Sequence, residues 1–486
     1  MTDDRAFRSR AVRGAGWVAA DKWSNRLTGL LVLAVLGRLL SPADFGLVAI
    51  ATGFMAFATV FVDQGFGRAL VQRAQLATVH SSTAFWTSVG SALVMTVVMV
   101  ASAPLLSMIF GGSGALPGVI QLMAVGLLLN ALASTPAALL EREFRFRELA
   151  IRRFSGTVAG GGAAIASAFL GAGVWALVIQ TLVTATVGLV TLWVASRWKP
   201  TFEFDRGVLR DLWAVGGSII GMELVGLLNS QADRLLIGAF LSPQALGYYF
   251  LAMRVVSIMV ELFSSVFSGV SLTTFSRLQD DRPRLLTWFY KLTSLSSTAA
   301  IPVFAFAAMT APVILPFVFG EQWTASVPIM QILCFLGALN AVAYFDRSVL
   351  IAVGRARSAF RLTLGQSVLG IVLELISVPF GVIAVAVAVT LRQYVYWPIR
   401  LITLHRNVGV DWRKYFLQWF RPFAVSIVAV GASLLVNVAT PRLDEQHPVL
   451  FVAINAVIAV VVFGLGTVLT NRSFFTDLGK IARRRF

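Results

Sequence analysis

The sequence predicts an all-α polytopic membrane protein of about 14 transmembrane helices, two pseudo-symmetric six-helix bundles plus two C-terminal helices. Three observations predict it. Of 486 residues, 57% are hydrophobic and 13% charged, with a mean hydropathy of +0.81, whereas soluble domains average about 25% charged residues. Apolar runs of about 18 residues or more recur from end to end, each long enough to cross a hydrocarbon core of about 30 Å. Residues 15–46 also return without a gap 201 positions later as residues 216–247: Gly16 falls on Gly217, Gly37 on Gly238, Ser41 on Ser242, Pro42 on Pro243 and Gly46 on Gly247. Shared turn residues are harder to obtain by chance than shared apolar content, so the chain reads as a duplicated unit.

Taken in order, the first lobe, residues 1–200, carries spans at 14–40, 43–62, 82–110, 116–140, 154–170 and 174–196. Its N-terminus has the positive character of a signal peptide, but the following apolar stretch holds Asp21, Lys22 and Arg26 without a compact cleavage region. It is therefore expected to stay as the first helix. The second lobe, 201–404, repeats the plan with spans at 213–241, 245–267, 285–319, 326–353, 362–380 and 382–404. Six spans per lobe keep the two copies in the same orientation, as an ungapped direct repeat requires. Residues 405–486 add spans at 422–438 and 449–470 and a basic tail. Glycines such as Gly160, Gly161 and Gly217 read as sites of close helix packing. Pro302, Pro312, Pro316, Pro328 and Pro379 read as static kinks before they read as hinges.

Orientation follows from Lys and Arg. The N-terminus and every second loop collect 31 of the 40, and the opposite loops contribute only Arg442. That asymmetry places both termini in the cytoplasm. It also accounts for a net charge of +17, which in a soluble chain would suggest nucleic acid; no nucleic-acid partner is expected.

Eight basic residues remain inside spans: Lys22, Arg26, Arg38, Arg234, Arg254, Arg347, Arg392 and Arg400. Beside them lie Asp21, Glu223, Asp233, Glu261, Asp346 and Glu374. A charge at the bilayer centre costs about 2.5 to 3.5 kcal/mol even on the lenient insertion scale, so these residues must face a wet cavity or one another. Their spacing supports a shared interior. Lys22 and Arg26 are four apart on one helix face, as are Arg392, Tyr396 and Arg400, while Arg254 and Glu261 are seven apart. Lys22 and Glu223 occupy equivalent positions in the repeat with opposite charge. Arg38 and Arg400, near span ends, are expected to snorkel to head groups. Asp233 and Asp346 have a second reading as partners of neighbouring helices that serve assembly alone. An excess of arginine over acid in a cavity favours an anionic ligand, because guanidinium groups bind phosphate in a bidentate manner and keep their charge when buried. Asn25, Asn229, Gln231, Asn340, Gln366 and Gln393 are candidates to meet hydroxyl-rich cargo, or to bond a neighbouring helix.

The sequence argues against several other classes. Short loops leave no room for a soluble catalytic domain, and no phosphate loop, dinucleotide fingerprint or nucleophile elbow is present, so an enzyme is not expected. His80, His405 and His447 lack metal-ligand spacing, the single Cys334 lies in an apolar run, and no cofactor or metal is expected. The loop from Glu141 to Arg147, mixing charge with phenylalanine, reads as an interfacial anchor.

Leu36-Gly37-Arg38-Leu39-Leu40-Ser41-Pro42-Ala43-Asp44-Phe45-Gly46 and Asp63-Gln64-Gly65-Phe66-Gly67, followed in the second half by Asp233-Arg234, Ser242-Pro243 and Gly247-Tyr248, carry a family resemblance. The chain resembles the polysaccharide-transporter branch of the multidrug/oligosaccharidyl-lipid/polysaccharide exporter superfamily, close to bacterial O-antigen and exopolysaccharide flippases. The resemblance implies a two-lobed helical protein of the inner membrane that moves undecaprenyl-pyrophosphate-linked oligosaccharide from the cytoplasmic to the periplasmic leaflet by alternating access. It implies membrane lipids, polysaccharide polymerase and glycosyltransferases as partners. From charge placement, Lys22, Arg26, Arg234, Arg254, Arg347 and Arg392 are the expected substrate ligands, and Glu223, Asp233, Glu261 and Asp346 the expected ion-coupling or gating residues. The rival readings are an ion-coupled small-solute or multidrug antiporter, a lipid II flippase and, last, an integral-membrane glycosyl-polymerising enzyme.

Overall fold

A computed structural model describes residues 24–63, 65–73, 76–111, 114–440 and 446–470. They are helical throughout, with no strand among the described residues. In chain order the helices are α1 (24–39), α2 (Pro42–Asp63), α3 (Phe66–Gln72), α4 (Thr78–Ile109), α5 (Leu116–Arg142), α6 (Phe146–Phe169), α7 (Trp175–Ser196) and α8 (Arg206–Phe240). They continue as α9 (Pro243–Arg277), α10 (Arg282–Phe319), α11 (Ser326–Val342), α12 (Tyr344–Ala352), α13 (Ala356–Ser377), α14 (Val382–Val408), α15 (Trp412–Ala439) and α16 (Pro448–Thr470).

Local chemistry sets the helix ends. Asp205 caps α8 by accepting from the backbone N–H of Gly207 and Val208 at 2.6 and 3.0 Å. Asp281 and Asp411 cap α10 and α15 in the same way. A side-chain oxygen there satisfies donors that the first turn leaves open. At α2, Ser41 and Asp44 close on each other, the Ser41 hydroxyl and N–H donating to the Asp44 carboxylate at 2.7 and 2.9 Å. The repeated turn before α9 keeps only half of this device, the Ala245 N–H donating to the Ser242 hydroxyl at 3.1 Å, because alanine stands where the first copy has Asp44. Gly65, with φ of 69°, separates α2 from α3. The tenth predicted span is broken as well: α11 ends at Val342 and α12 restarts at Tyr344, three residues before Arg347. The prolines of α10 are accommodated inside one continuous helix of 38 residues.

Eleven helical segments of the described residues are long and apolar enough to cross a membrane. The first predicted span begins outside the described residues. The fifth and seventh are present as α6 and α8, but α6 is charged in its first two turns and rich in glycine and alanine beyond them, α8 carries charge from Arg206 to Arg234, and neither is among the eleven. Helices α1 and α8 hold the duplicated stretch, and α8 is thus one of the least apolar long helices.

The chain divides into two compact units, Met1–Gly247 and Tyr248–Phe486. In the first, α4 packs on α5 and α6 on α7, α5 also touches α7, and α8 lies against α2. The α6–α7 seam is as tight as the glycines suggest: a Cβ at Gly160 would collide with Thr184 and with the carbonyl of Gln180. In the second unit α10 packs on α11, α13 on α14, and α15 and α16 both dock on α10. The two C-terminal helices, without counterparts in the repeat, are therefore part of the second unit. Its core gathers Phe275, Phe289, Phe345 and Tyr415, with the rings of Phe289 and Tyr415 stacking at 5.8 Å. Cys334 is buried in α11.

Candidate functional site

The second unit contains a buried polar network assembled from five helices. Asp346, in the first turn of α12, is 2% exposed. Its carboxylate lies 3.8 Å from the Arg400 guanidinium of α14 and accepts from the Tyr415 hydroxyl of α15 at 3.2 Å. A helix N-terminus also favours a negative charge at that position. Arg400 donates to the Gln366 side chain of α13 at 2.7 Å and to Gln393 at 3.5 Å, and Gln393 in turn donates to Asn340 of α11 at 3.2 Å. Two turns before Arg400 on α14, Arg392 pairs with Glu374 of α13 at 3.1 Å, both side chains being buried. Gly370 makes room for it, since a Cβ there would collide with the Arg392 guanidinium. Opposite charges that meet in a low-dielectric interior bind strongly, and losing one partner strands the other.

The first unit contains a more open set. Arg68 of α3 reaches Glu223 of α8 at 3.0 Å, with side chains 67% and 36% exposed. Asn25 of α1 accepts from Thr157 of α6 at 2.8 Å, beside Arg26, which is half-buried. Arg234, in α8, donates to Gln231 at 3.2 Å and follows the buried Asp233.

The predicted site residues therefore fall into distinct environments. Lys22 lies outside the described residues. Arg26 and Arg234 are half-buried, Arg254 and Arg347 are exposed, and Arg392 is sealed against Glu374. Among the acids, Glu223 pairs with Arg68, Asp346 with Arg400, Asp233 is buried and Glu261 is exposed. Arg400 does not snorkel: its side chain is 16% exposed and turns inward, because Asp346, Gln366 and Gln393 offer it acceptors that a head group would otherwise supply. Sequence reasoning missed Arg68, which it counted as a loop residue, although the glycine break at Gly65 just before it marks an interrupted helix. It also missed Tyr415, for which a single sequence holds no signal, since the pairing joins residues 69 positions apart. The Glu141–Arg147 loop has a more specific role than anchoring: Arg142 donates to the Leu70 carbonyl at 3.0 Å and also to that of Arg73, and Arg145 to the Ala195 carbonyl at 3.1 Å, so it caps the ends of α3 and α7. Among the described residues no group of three or more His, Cys, Asp or Glu is placed to hold a metal ion.

Guanidinium groups held inside or beside apolar spans provide bidentate donors for an anionic cargo, and ionisable residues at such depth mark transport pathways. An all-helical, polytopic chain of this kind is a membrane transporter by class. Residues 35–328 match the family described as "Polysaccharide biosynthesis protein", and the chain belongs to it. It is 27% identical over 429 residues to "Teichuronic acid biosynthesis protein TuaB" of Bacillus subtilis (strain 168), covering 87% of this chain and 88% of the relative. It is 26% identical over 486 residues to "Succinoglycan biosynthesis transport protein ExoT" of Rhizobium meliloti (strain 1021), covering 97% and 96%. Its fold is that of "Lipid II flippase MurJ, inward closed conformation", with a TM-score of 0.77 at 14% identity over 94% of this chain and 99% of that one.

Proposed function

We propose that the protein flips undecaprenyl-pyrophosphate-linked oligosaccharide from the cytoplasmic to the periplasmic leaflet of the bacterial inner membrane, for the synthesis of exopolysaccharide or lipopolysaccharide. Membership of a polysaccharide biosynthesis family supports the sugar, and likeness in fold to a flippase of another lipid-linked sugar agrees with the reading. The observation that carries it is the retention of arginines within the helices of apolar spans: Arg26, Arg234, Arg254 and Arg347 offer more positive charge than a cationic or neutral small solute would require. With Lys22, these bind the diphosphate and the first sugars. Arg392 was expected to join them, and its pairing with Glu374 instead favours a role in holding α13 to α14. Transport proceeds by alternating access, with residues 1–200 and 201–404 as repeated lobes, residues 405–486 as the added helices and basic tail, and both termini in the cytoplasm. Glu223, Asp233, Glu261 and Asp346 serve coupling or gating, and the polymerase and glycosyltransferases of the pathway are the partners.

Deletion in the native bacterium, followed by lipid extraction, tests this. Accumulation of a lipid-linked oligosaccharide on the cytoplasmic leaflet with loss of surface polysaccharide is the expected result. Unchanged lipid intermediates with intact polysaccharide would refute it and favour the small-solute antiporter.

A further inference from the structure

The segment that joins α7 to α8, residues 197–205, has no regular secondary structure, yet it is tied at Thr201 and Asp205 to the first three turns of α4. The Thr201 and Ser82 hydroxyls meet at 2.7 Å, the Thr201 N–H donates to the Ser82 oxygen at 3.2 Å, and the Trp86 indole donates to the Thr201 carbonyl at 2.9 Å. Further along, the Asp205 N–H donates to Thr83 at 3.2 Å, and the Asp205 carboxylate then caps α8. Trp198 packs edge-on against Phe85 at 5.4 Å, beside Trp193 of α7. The connection is a strap laid across the end of α4.

This rigid strap displays apolar rings outward. Phe202 stacks on Trp86 at 5.1 Å through one face and is nevertheless 92% exposed, and Phe204 is 52% exposed. Phe144 is 49% exposed on the loop whose Arg145 caps α7. The exposed cations Arg197, Lys199 and Arg206 flank Phe202 and Phe204 in the chain and outnumber the exposed Glu203 between them. Exposed phenyl rings fixed on a rigid element in water would be a standing cost of about 1.5 to 3 kcal/mol each in unburied apolar surface. The tryptophans under the strap indicate what covers them. Trp86, Trp193 and Trp198 gather at the ends of α4 and α7, both of them long enough to span, and indole belts of this kind mark the head-group level of a bilayer.

We propose that the strap is a membrane-surface binding site for anionic phospholipid of the leaflet that faces the basic loops, with Phe202 and Phe204 entering the boundary between head groups and acyl chains and Lys199 with Arg197 meeting the phosphates. Each cation near an anionic surface contributes on the order of 1 kcal/mol. Because the strap ends in the Asp205 cap, lipid bound there also fixes the start of α8, the helix that carries Glu223, Asp233 and Arg234. The proposal rests on the orientation given above and not on the identity of the cargo.

The test is a nitroxide label at Phe202→Cys in a Cys334→Ala background, reconstituted in vesicles of phosphatidylcholine with or without phosphatidylglycerol. Collisions with oxygen and with an aqueous nickel chelate report depth, and Val94→Cys, 57% exposed at the middle of α4, serves as the hydrocarbon reference. With phosphatidylglycerol present, nickel access at position 202 is expected to fall several-fold below that of free label, and Lys199→Glu to restore part of it. Nickel access equal to free label in both vesicles overturns the proposal, and insertion that is indifferent to lipid charge overturns the choice of anionic lipid. Phe144→Cys reports on the same surface should the first variant fold poorly. Neither readout involves transport, so a failed flipping experiment leaves this result standing and the reverse also holds.

Discussion

Gly46 lies so close to the carbonyl of Pro243 that any Cβ there would collide with it, and Gly247 stands in the same relation to the carbonyl of Pro42. The four residues are two repeat pairs 201 positions apart, so the two Ser-Pro turns meet reciprocally, backbone on backbone. Both contacts lie within the unit Met1–Gly247. The glycines that identified the duplication are thus the residues that let its two copies touch.

A side chain on either glycine should force the turns apart. Gly46→Val and Gly247→Val are each expected to cost about 1 to 3 kcal/mol in overpacking, and to cut surface polysaccharide sharply while the protein still reaches the membrane. Immunoblotting of membranes beside a polysaccharide assay checks this. Wild-type output from both variants would show that the seam is incidental to transport.

The Asp346–Arg400–Tyr415 network predicts a graded loss of stability. Tyr415→Phe removes one buried hydrogen bond to a carboxylate and should cost about 1.5 to 3 kcal/mol. Asp346→Ala leaves Arg400 buried without its counter-charge and should cost about 3 to 5 kcal/mol. Melting of the purified protein in detergent orders the two. A Tyr415→Phe variant as stable as the native protein would mean that the ring packing against Phe289, and not the hydroxyl, is what matters.

The same logic gives Arg392 and Glu374 a sharper test. Arg392→Met alone should destabilise by about 3 to 5 kcal/mol, and adding Glu374→Leu should recover most of the loss, because an apolar pair of similar volume often replaces a buried ion pair without cost. The coupling energy comes from melting all four members of the cycle. Export that fails in the stable double variant would return Arg392 to the substrate site.

How far the sequence carried these conclusions depended on what each residue signals locally. The duplication was legible because Ser41-Pro42 and Gly46 fix turn geometry and recur without a gap. Most spans were legible because hydropathy over about 18 residues is a local property. The broken helix at Ala343 was not, since Tyr344 and Phe345 continue the apolar run, and the bond that Asp346 makes just beyond the break comes from Tyr415, 69 positions away. Charge inside the membrane could be counted from the sequence but not paired: Asp346 next to Arg347 in the chain bonds Arg400 in space, and Glu223, equivalent to Lys22, bonds Arg68. Adjacent residues on a helix diverge by about a quarter-turn, so partners come from other helices, and those are set by packing.

Arg68 and Glu223 form an exposed pair, and exposed pairs contribute about 0 to 1 kcal/mol to stability. Glu223→Gln should therefore leave the melting temperature nearly unchanged. If Glu223 takes part in gating or coupling, the same variant should still lower the rate at which lipid-linked oligosaccharide reaches the outer leaflet, and Arg26→Ala should abolish it with the protein correctly inserted. The two substitutions separate roles. Arg26→Lys keeps the charge but loses the planar fork, so it should recover less than half of the activity if a diphosphate is bound in a bidentate manner. Full recovery by lysine would reduce Arg26 to a point charge, and normal export by Arg26→Ala would remove it from the site. A Glu223→Gln variant that melts early yet transports normally would make its contact with Arg68 a structural clamp between α3 and α8 and nothing more.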